Sequence, residues 1–384
     1  MELPHLLLNL VVIQMSARLF GEAAVRLGQS AVLGELLAGV LVGGSVLGWV
    51  DASPMLTLVG DLGVLLLLFK IGLESDAPAL LEAGREAAAV AVIGVVVPFA
   101  LGAGASLALG LTALQAVFVG ATLTATSVAV SARVLDDLGR LQSRAGHIIL
   151  GAAVLDDLFG LVILAVVMGL VETGSVSWTA AGTVAGTAAA CLVGAVLAGA
   201  RVAHWFDAAT ARLPHRSGAV VPAVLFALAL SYAGTLVHLA PLIGAFAAGL
   251  ILARTRQRTR LSADIAPAAD IVVPVFFVLA GAAVDLRHLS PFDPQNRPLL
   301  WLTLALTGAA VFGKLAAGLG AGPRSQRWVV GAGMLPRGEV GLIFAGAGLA
   351  AAVISTAEYS AILTVVALTT LLAPPLLKRW AGGG

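Results

Sequence analysis

Two adjacent carboxylates, Asp156-Asp157, interrupt the apolar run Gly151-Ala-Ala-Val-Leu-Asp-Asp-Leu-Phe-Gly160. A carboxylate at membrane depth costs several kcal/mol unless it is paired, neutralised or hydrated. Two neighbours also repel each other, so this pair is suited to holding a proton or a metal cation. Consecutive residues on a helix point about 100° apart, so one Asp can meet a partner side chain while the other lines a cavity. Lys314, in Val311-Phe-Gly-Lys-Leu-Ala, is the natural counter-ion; the alternative is that its long stem snorkels to the interface. Thr126-Ser127 end the stretch Gly120-Ala-Thr122-Leu-Thr124-Ala-Thr-Ser, and hydroxyl oxygens suit a hard cation such as Na+ as well as carboxylates do. Asp156 and Asp157 are therefore the expected Na+ and proton ligands, with Thr126 and Ser127 beside them. In Gly333-Met-Leu-Pro336-Arg337-Gly338-Glu339 the proline removes an amide donor and the glycines weaken the helix, which frees backbone carbonyls. Arg337 and Glu339 add charges there, either braced against each other in a packed kink or flanking a cavity.

These residues need a membrane around them. Of 384 residues, 59% are hydrophobic and 11% charged, and the mean hydropathy is +1.02, outside the range of soluble domains. No polar block is long enough to fold separately. At about 20 apolar residues per crossing, the runs begin near 4, 31, 55, 84, 113, 143, 178, 218, 241, 264, 298, 327 and 357, predicting an all-α chain of about thirteen spans. One alternating set of loops carries 17 Lys and Arg against 2 in the other, which places the C-terminus inside and the N-terminus outside. All six tryptophans fall at predicted span ends, as amphipathic rings at headgroup level should. The N-terminus lacks a basic leader, so Leu6 to Leu27 reads as a retained first span. The net charge of +1, without a basic block, argues against a nucleic-acid partner. The absence of a Walker sequence, a metal-spaced His or Cys cluster and a G-x-S-x-G elbow argues against an ATP-driven pump or an enzyme; no cofactor is expected. Cys191, the lone cysteine, reads as a small buried residue.

The halves of the chain also repeat. Gly34-Glu-Leu-Leu-Ala38-Gly39 matches Gly244-Ala-Phe-Ala-Ala248-Gly249 at an offset of 210, and Gly72-x-x-x-Asp76 matches Gly281-x-x-x-Asp285 at an offset of 209. Six spans return the chain to its starting side and a seventh carries it across, so the two six-helix units are inverted. That construction is found in secondary transporters, whose sites lie at the midplane and are built from broken helices. The Thr126 and Pro336 stretches are the corresponding breaks. Lys70 reads as snorkelling from one turn below the surface, Glu35 and Asp61 as interfacial or packing residues, and His204 and His215 as solvated loop residues.

Leu155-Asp156-Asp157, Thr126-Ser127, Lys314 and Pro336-Arg337-Gly338-Glu339 together resemble the bacterial cation:proton antiporters of the NapA type, and the likeness extends over nearly the whole chain. The resemblance implies a homodimer in the bacterial inner membrane. Each protomer would have an ion-translocating core, about 84–171 and 298–380, that moves as an elevator against a dimerisation part, about 4–75 and 218–286, through a linking helix, about 178–205. It further implies that Asp157 is the main cation and proton carboxylate, that Asp156 exchanges Lys314 as its partner when sodium arrives, and that Arg337 and Glu339 stabilise two crossed, interrupted helices. An Asp-Asp pair with a core lysine looks like the electrogenic branch, exchanging two protons for one Na+, with Li+ as a further candidate and a role in pH homeostasis. Other readings stay open: a K+/H+ antiporter, a cation channel, or a sodium-coupled organic-anion symporter. The chain departs from the common pattern at Gln29-Ser30, where Gln-Pro is usual, and at Gly43-Gly44, where Gly-Pro is usual.

Overall fold

A computed structural model describes residues 3–51, 53–173, 178–210, 218–236, 239–284, 297–322 and 324–381. Every regular element among them is helical: α1 (Leu3–Arg26), α2 (Ala31–Val42), α3 (Pro54–Glu74), α4 (Ala77–Glu82), α5 (Gly84–Ala108), α6 (Ala113–Thr122), α7 (Val128–Asp137), α8 (Arg144–Thr173), α9 (Trp178–Thr210), α10 (Val220–Leu236), α11 (Pro241–Leu252), α12 (Arg258–Ala282), α13 (Arg297–Ala317), α14 (Arg324–Gly333), α15 (Glu339–Ala350) and α16 (Thr356–Ala381). Seven described helices are long and apolar enough to cross a membrane, and five shorter apolar ones accompany them. The shorter ones have a physical reason: a ten-residue helix rises about 15 Å, half the hydrocarbon thickness, so α6 with α7 and α14 with α15 read as two interrupted spans. Asp285, one of the repeat residues, lies outside the described residues, as do His215 and the side chain of Cys191.

Local chemistry starts these helices. Ser53 accepts the amide of Leu56 in front of Pro54, and Thr112 and Gln115 form a reciprocal capping box on α6. Ser30, the departure from the usual Gln-Pro, caps α2 instead: its hydroxyl accepts the amide of Val32 and donates to Asp137 at 2.8 Å.

Two helical bundles result. In the first, α2, α3, α11 and α12 pack on one another, with α1 and α10 outside; in the second, α5, α6, α8, α13, α14, α15 and α16 do so, and α9 touches both α8 and α11. The repeat seen in the sequence is realised as an exchange of partners. A Cβ built on Gly39 would lie 2.0 Å from the carbonyl oxygen of Val278, and one on Gly281 2.0 Å from that of Leu36, so α2 and α12 touch backbone to backbone. The equivalent crossing of α11 and α3 is formed by Gly249 against Phe69 O at 2.1 Å and Gly72 against Phe246 O at 2.3 Å. Small residues at such crossings are what membrane helices use where lipid offers no hydrophobic drive to associate.

The loops rich in arginine gather at one end. Arg144 pairs with Glu86 at 3.0 Å, Arg258 donates to Glu74 O at 2.8 Å, Arg140 donates to Ala381 O at 2.9 Å, and the rings of Trp328 and Trp380 lie 5.3 Å apart. Trp49, Trp178, Trp205, Trp301 and Trp328 are all exposed, as interfacial rings would be.

Candidate functional site

The breaks in the two interrupted spans, residues 123–127 and 334–338, cross each other and are stitched by backbone and hydroxyl hydrogen bonds. Ser127 N donates to Pro336 O at 2.7 Å, Thr126 Oγ1 to Met334 O at 3.3 Å, and Ser131 Oγ to Gly333 O at 2.5 Å. The last two bonds satisfy carbonyls left open where α14 ends, and Ser127 caps the start of α7. Gly338 allows the approach: a Cβ there would lie 2.9 Å from Ser127 Cβ.

Cations close the other open end. Arg337, 2% exposed, donates to the carbonyls of Leu123, Ala125 (3.3 Å) and Ala310 (3.5 Å), and Lys314, fully buried, donates to Thr124 O. Both side chains thus meet the negative C-terminal end of α6, where positive charge is favoured. Arg337 is not braced by an internal acid, one of the two sequence expectations; its guanidinium is spread over backbone carbonyls because its planar fork matches several acceptors at once. The Glu339 side chain lies outside the described residues, and its backbone opens α15.

Lys314 Nζ also lies 2.9 Å from Asp156 Oδ2, with both side chains wholly buried, so it does not snorkel. Asp157, the next residue on α8, faces a different way: with Thr126, Ser127, Ala129, Phe246 and Phe276 it lines a cavity of about 20 Å³. A single water needs about 10–15 Å³, so the space suits one water or one dehydrated cation. The two aspartates therefore have separate surroundings, one an ion pair, the other an oxygen-bearing pocket. Two carboxylates and two cations, Asp156, Asp157, Lys314 and Arg337, balance in formal charge within this region. Among the described residues no cluster of three His, Cys, Asp or Glu side chains stands ready for a transition metal.

Other sequence expectations are corrected or sharpened. Lys70 does not snorkel freely: its Nζ is paired with Asp136 of α7 at 3.1 Å and Glu74 at 3.4 Å, because the α7 end brings a carboxylate to it. Glu35 is a buried packing residue, 6% exposed, and Asp61 lines a cavity of about 550 Å³ rather than the interface. His204 is exposed. Sequence reasoning missed Thr370 of α16, whose hydroxyl accepts Arg337 N at 3.2 Å and donates to Arg337 O at 2.9 Å. The only signal for it was a Thr369-Thr370 pair in an apolar run.

Apolar helices of this number and length, interrupted twice around buried charge, define a polytopic membrane transporter. The chain belongs to the sodium/hydrogen exchanger family, whose transmembrane model matches residues 14–381. It is 40% identical to the high-affinity Na(+)/H(+) antiporter NhaS3 of Synechocystis over 98% of this chain and 90% of that one. It is 37% identical to the Na(+)/H(+)-K(+) antiporter GerN of Bacillus cereus over 97% and 96% of the two chains. Its fold is similar to that of the sodium proton antiporter MjNhaP1 of Methanocaldococcus jannaschii, with a TM-score of 0.73 at 18% identity over 100% of this chain and 97% of that one.

Proposed function

We propose that this chain exchanges Na+ for H+ across the bacterial inner membrane, with the two ions competing for Asp157. The observation that carries the reading is the cavity of about 20 Å³ in which Asp157 faces Thr126 and Ser127, next to the sealed Asp156–Lys314 pair. With Asp156, Lys314 and Arg337 charged, one proton on Asp157 or one Na+ beside ionised Asp157 leaves the same local charge. Holding both would add a further uncompensated charge at membrane depth, which is expensive. Competition follows from that difference. When Na+ draws Asp156 toward it, Lys314 loses its partner and releases a second proton, which makes the exchange electrogenic, two protons against one Na+.

Alternating access follows an elevator movement. The core, about 84–171 and 298–380, carries the site past a dimerisation part, about 4–75 and 218–286, linked by 178–205, in a homodimer with the N-terminus outside and the C-terminus cytoplasmic. The first bundle, with its close glycine crossings, suits the fixed part. The test is Na+-driven dequenching of a pH dye trapped in proteoliposomes, repeated with Li+ and K+. Asp157→Asn is expected to abolish the signal, and normal exchange by that variant would remove Asp157 from the site. A larger response to K+ than to Na+ would shift the substrate to potassium.

A further inference from the structure

Three cavities lie along the seam between the two bundles, and their shared walls are few. From the arginine-poor end a cavity of about 550 Å³ runs inward past Thr57 and Asp61 of α3 and Val284 beyond α12 to Arg337 and Gly338. From the arginine-rich end a cavity of about 220 Å³ runs past Leu81 of α4 and Arg254 to Val154 and Leu155 of α8. The small cavity of Asp157 lies between them. Phe276 is common to the small cavity and the larger one. Phe246, with Ile243 and Val154, is common to the small cavity and the arginine-rich one.

Both phenylalanines are firmly held. A Cβ on Gly60 would lie 3.1 Å from Phe276 Cα, and the Phe276 ring sits edge-on to Phe277 with centroids 5.4 Å apart. Phe246 is 6% exposed, and its carbonyl is the atom met by Gly72 at the α3–α11 crossing. A hydrophobic constriction stops an ion by offering nothing in place of its hydration shell, so a ring across a passage blocks ions more strongly than it blocks space.

We propose that Phe276 and Phe246 are the two barriers that separate the Asp157 pocket from its two approaches, Phe276 on the arginine-poor side and Phe246 on the arginine-rich side. The proposal rests on the exchange reading for its purpose, which is to prevent ions from passing without exchange, but its geometry can be tested without transport. Both barriers belong to the first bundle, so each stays in place while the site moves past it, and each is a positioning residue rather than an ion ligand.

The experiment replaces the lone cysteine by Cys191→Ser and introduces Ala129→Cys, a buried reporter on the Asp157 cavity. A membrane-impermeant thiol reagent is then supplied to one face of oriented vesicles at a time. Phe276→Ala is expected to speed labelling roughly tenfold or more over the parent from the arginine-poor face only, and Phe246→Ala by as much from the arginine-rich face only, as lowering a barrier by about 1.4 kcal/mol would do. Phe276→Leu and Phe246→Leu, which keep an apolar side chain, carry the same comparison where an alanine variant fails to accumulate. Unchanged labelling in both variants, or acceleration from the same face in both, overturns the assignment. Sided labelling in a parent protein that exchanges no Na+ for H+ would keep the barriers and sink the exchange reading; exchange with no sided labelling would do the reverse.

Discussion

The first bundle and the crossing both bring backbones into contact, by opposite means. Where α2 meets α12 and α11 meets α3, Gly39, Gly281, Gly249 and Gly72 remove side chains so that unbroken helices touch, and every amide keeps its own helical partner. At the crossing, residues 123–127 and 334–338 leave the helix, and the open carbonyls are taken up by Arg337, Lys314, Thr126 and Ser131. The first arrangement has no polar atom to offer a passing ion, whereas the second is made of oxygen atoms held by replaceable donors. A rigid support and an ion site are thus built from the same problem, close backbone approach in lipid, with only the second leaving polar groups available.

Three substitutions press on that comparison. Gly281→Val should have the largest effect, because even a Cβ there lies 2.0 Å from Leu36 O and backbone cannot yield as a side chain tip can. We expect a loss above about 3 kcal/mol, beyond the usual range for overpacking. It would be read as loss of folded protein by size-exclusion thermal melting, and a melting curve like the parent's would show that the crossing is loose. Arg337→Met comes next. It leaves the carbonyls of Leu123, Ala125 and Ala310 without their donor, at about 1–3 kcal/mol for the first and less for the longer bonds, and it should abolish exchange while Arg337→Lys restores part of the stability. Equal stability of the methionine and parent proteins would mean that water serves those carbonyls instead. Gly104→Ala is the smallest and has the opposite sign. No atom lies within 4 Å of a Cβ there, so helix propensity alone should raise the melting temperature slightly, by up to about 1 kcal/mol of stability.

The sequence revealed the support through its glycines and the site through its charges, each for a physical reason. A backbone contact requires Gly at the position, so the offset of 210 residues between Gly39 and Gly249 survives as a visible mark. Charges within apolar runs are equally visible, which is why Asp156, Asp157, Lys314 and Arg337 could be singled out before their partners were known. The partners were not legible where they are carbonyls, since every residue carries one. That is why Arg337 could be read as paired with an acid when it lies against Leu123, Ala125 and Ala310. Lys70 hid its partner for another reason: Glu74 is one turn away on its own helix, but Asp136 reaches it only through the packing of α7 against α3. Phe246 and Phe276 carry no mark at all in a chain so apolar; their positions between cavities exist only in three dimensions.

The exchange of glycine partners has a consequence for biogenesis. Gly39 and Gly72 belong to the first part of the chain to leave the ribosome, and the backbones they must meet, at Val278 and Phe246, are synthesised much later. Until then α2 and α3 sit in the bilayer with their narrowest faces open to lipid, so the support cannot be completed one half at a time, and insertion of the early helices has to precede their final docking by most of the time that translation takes.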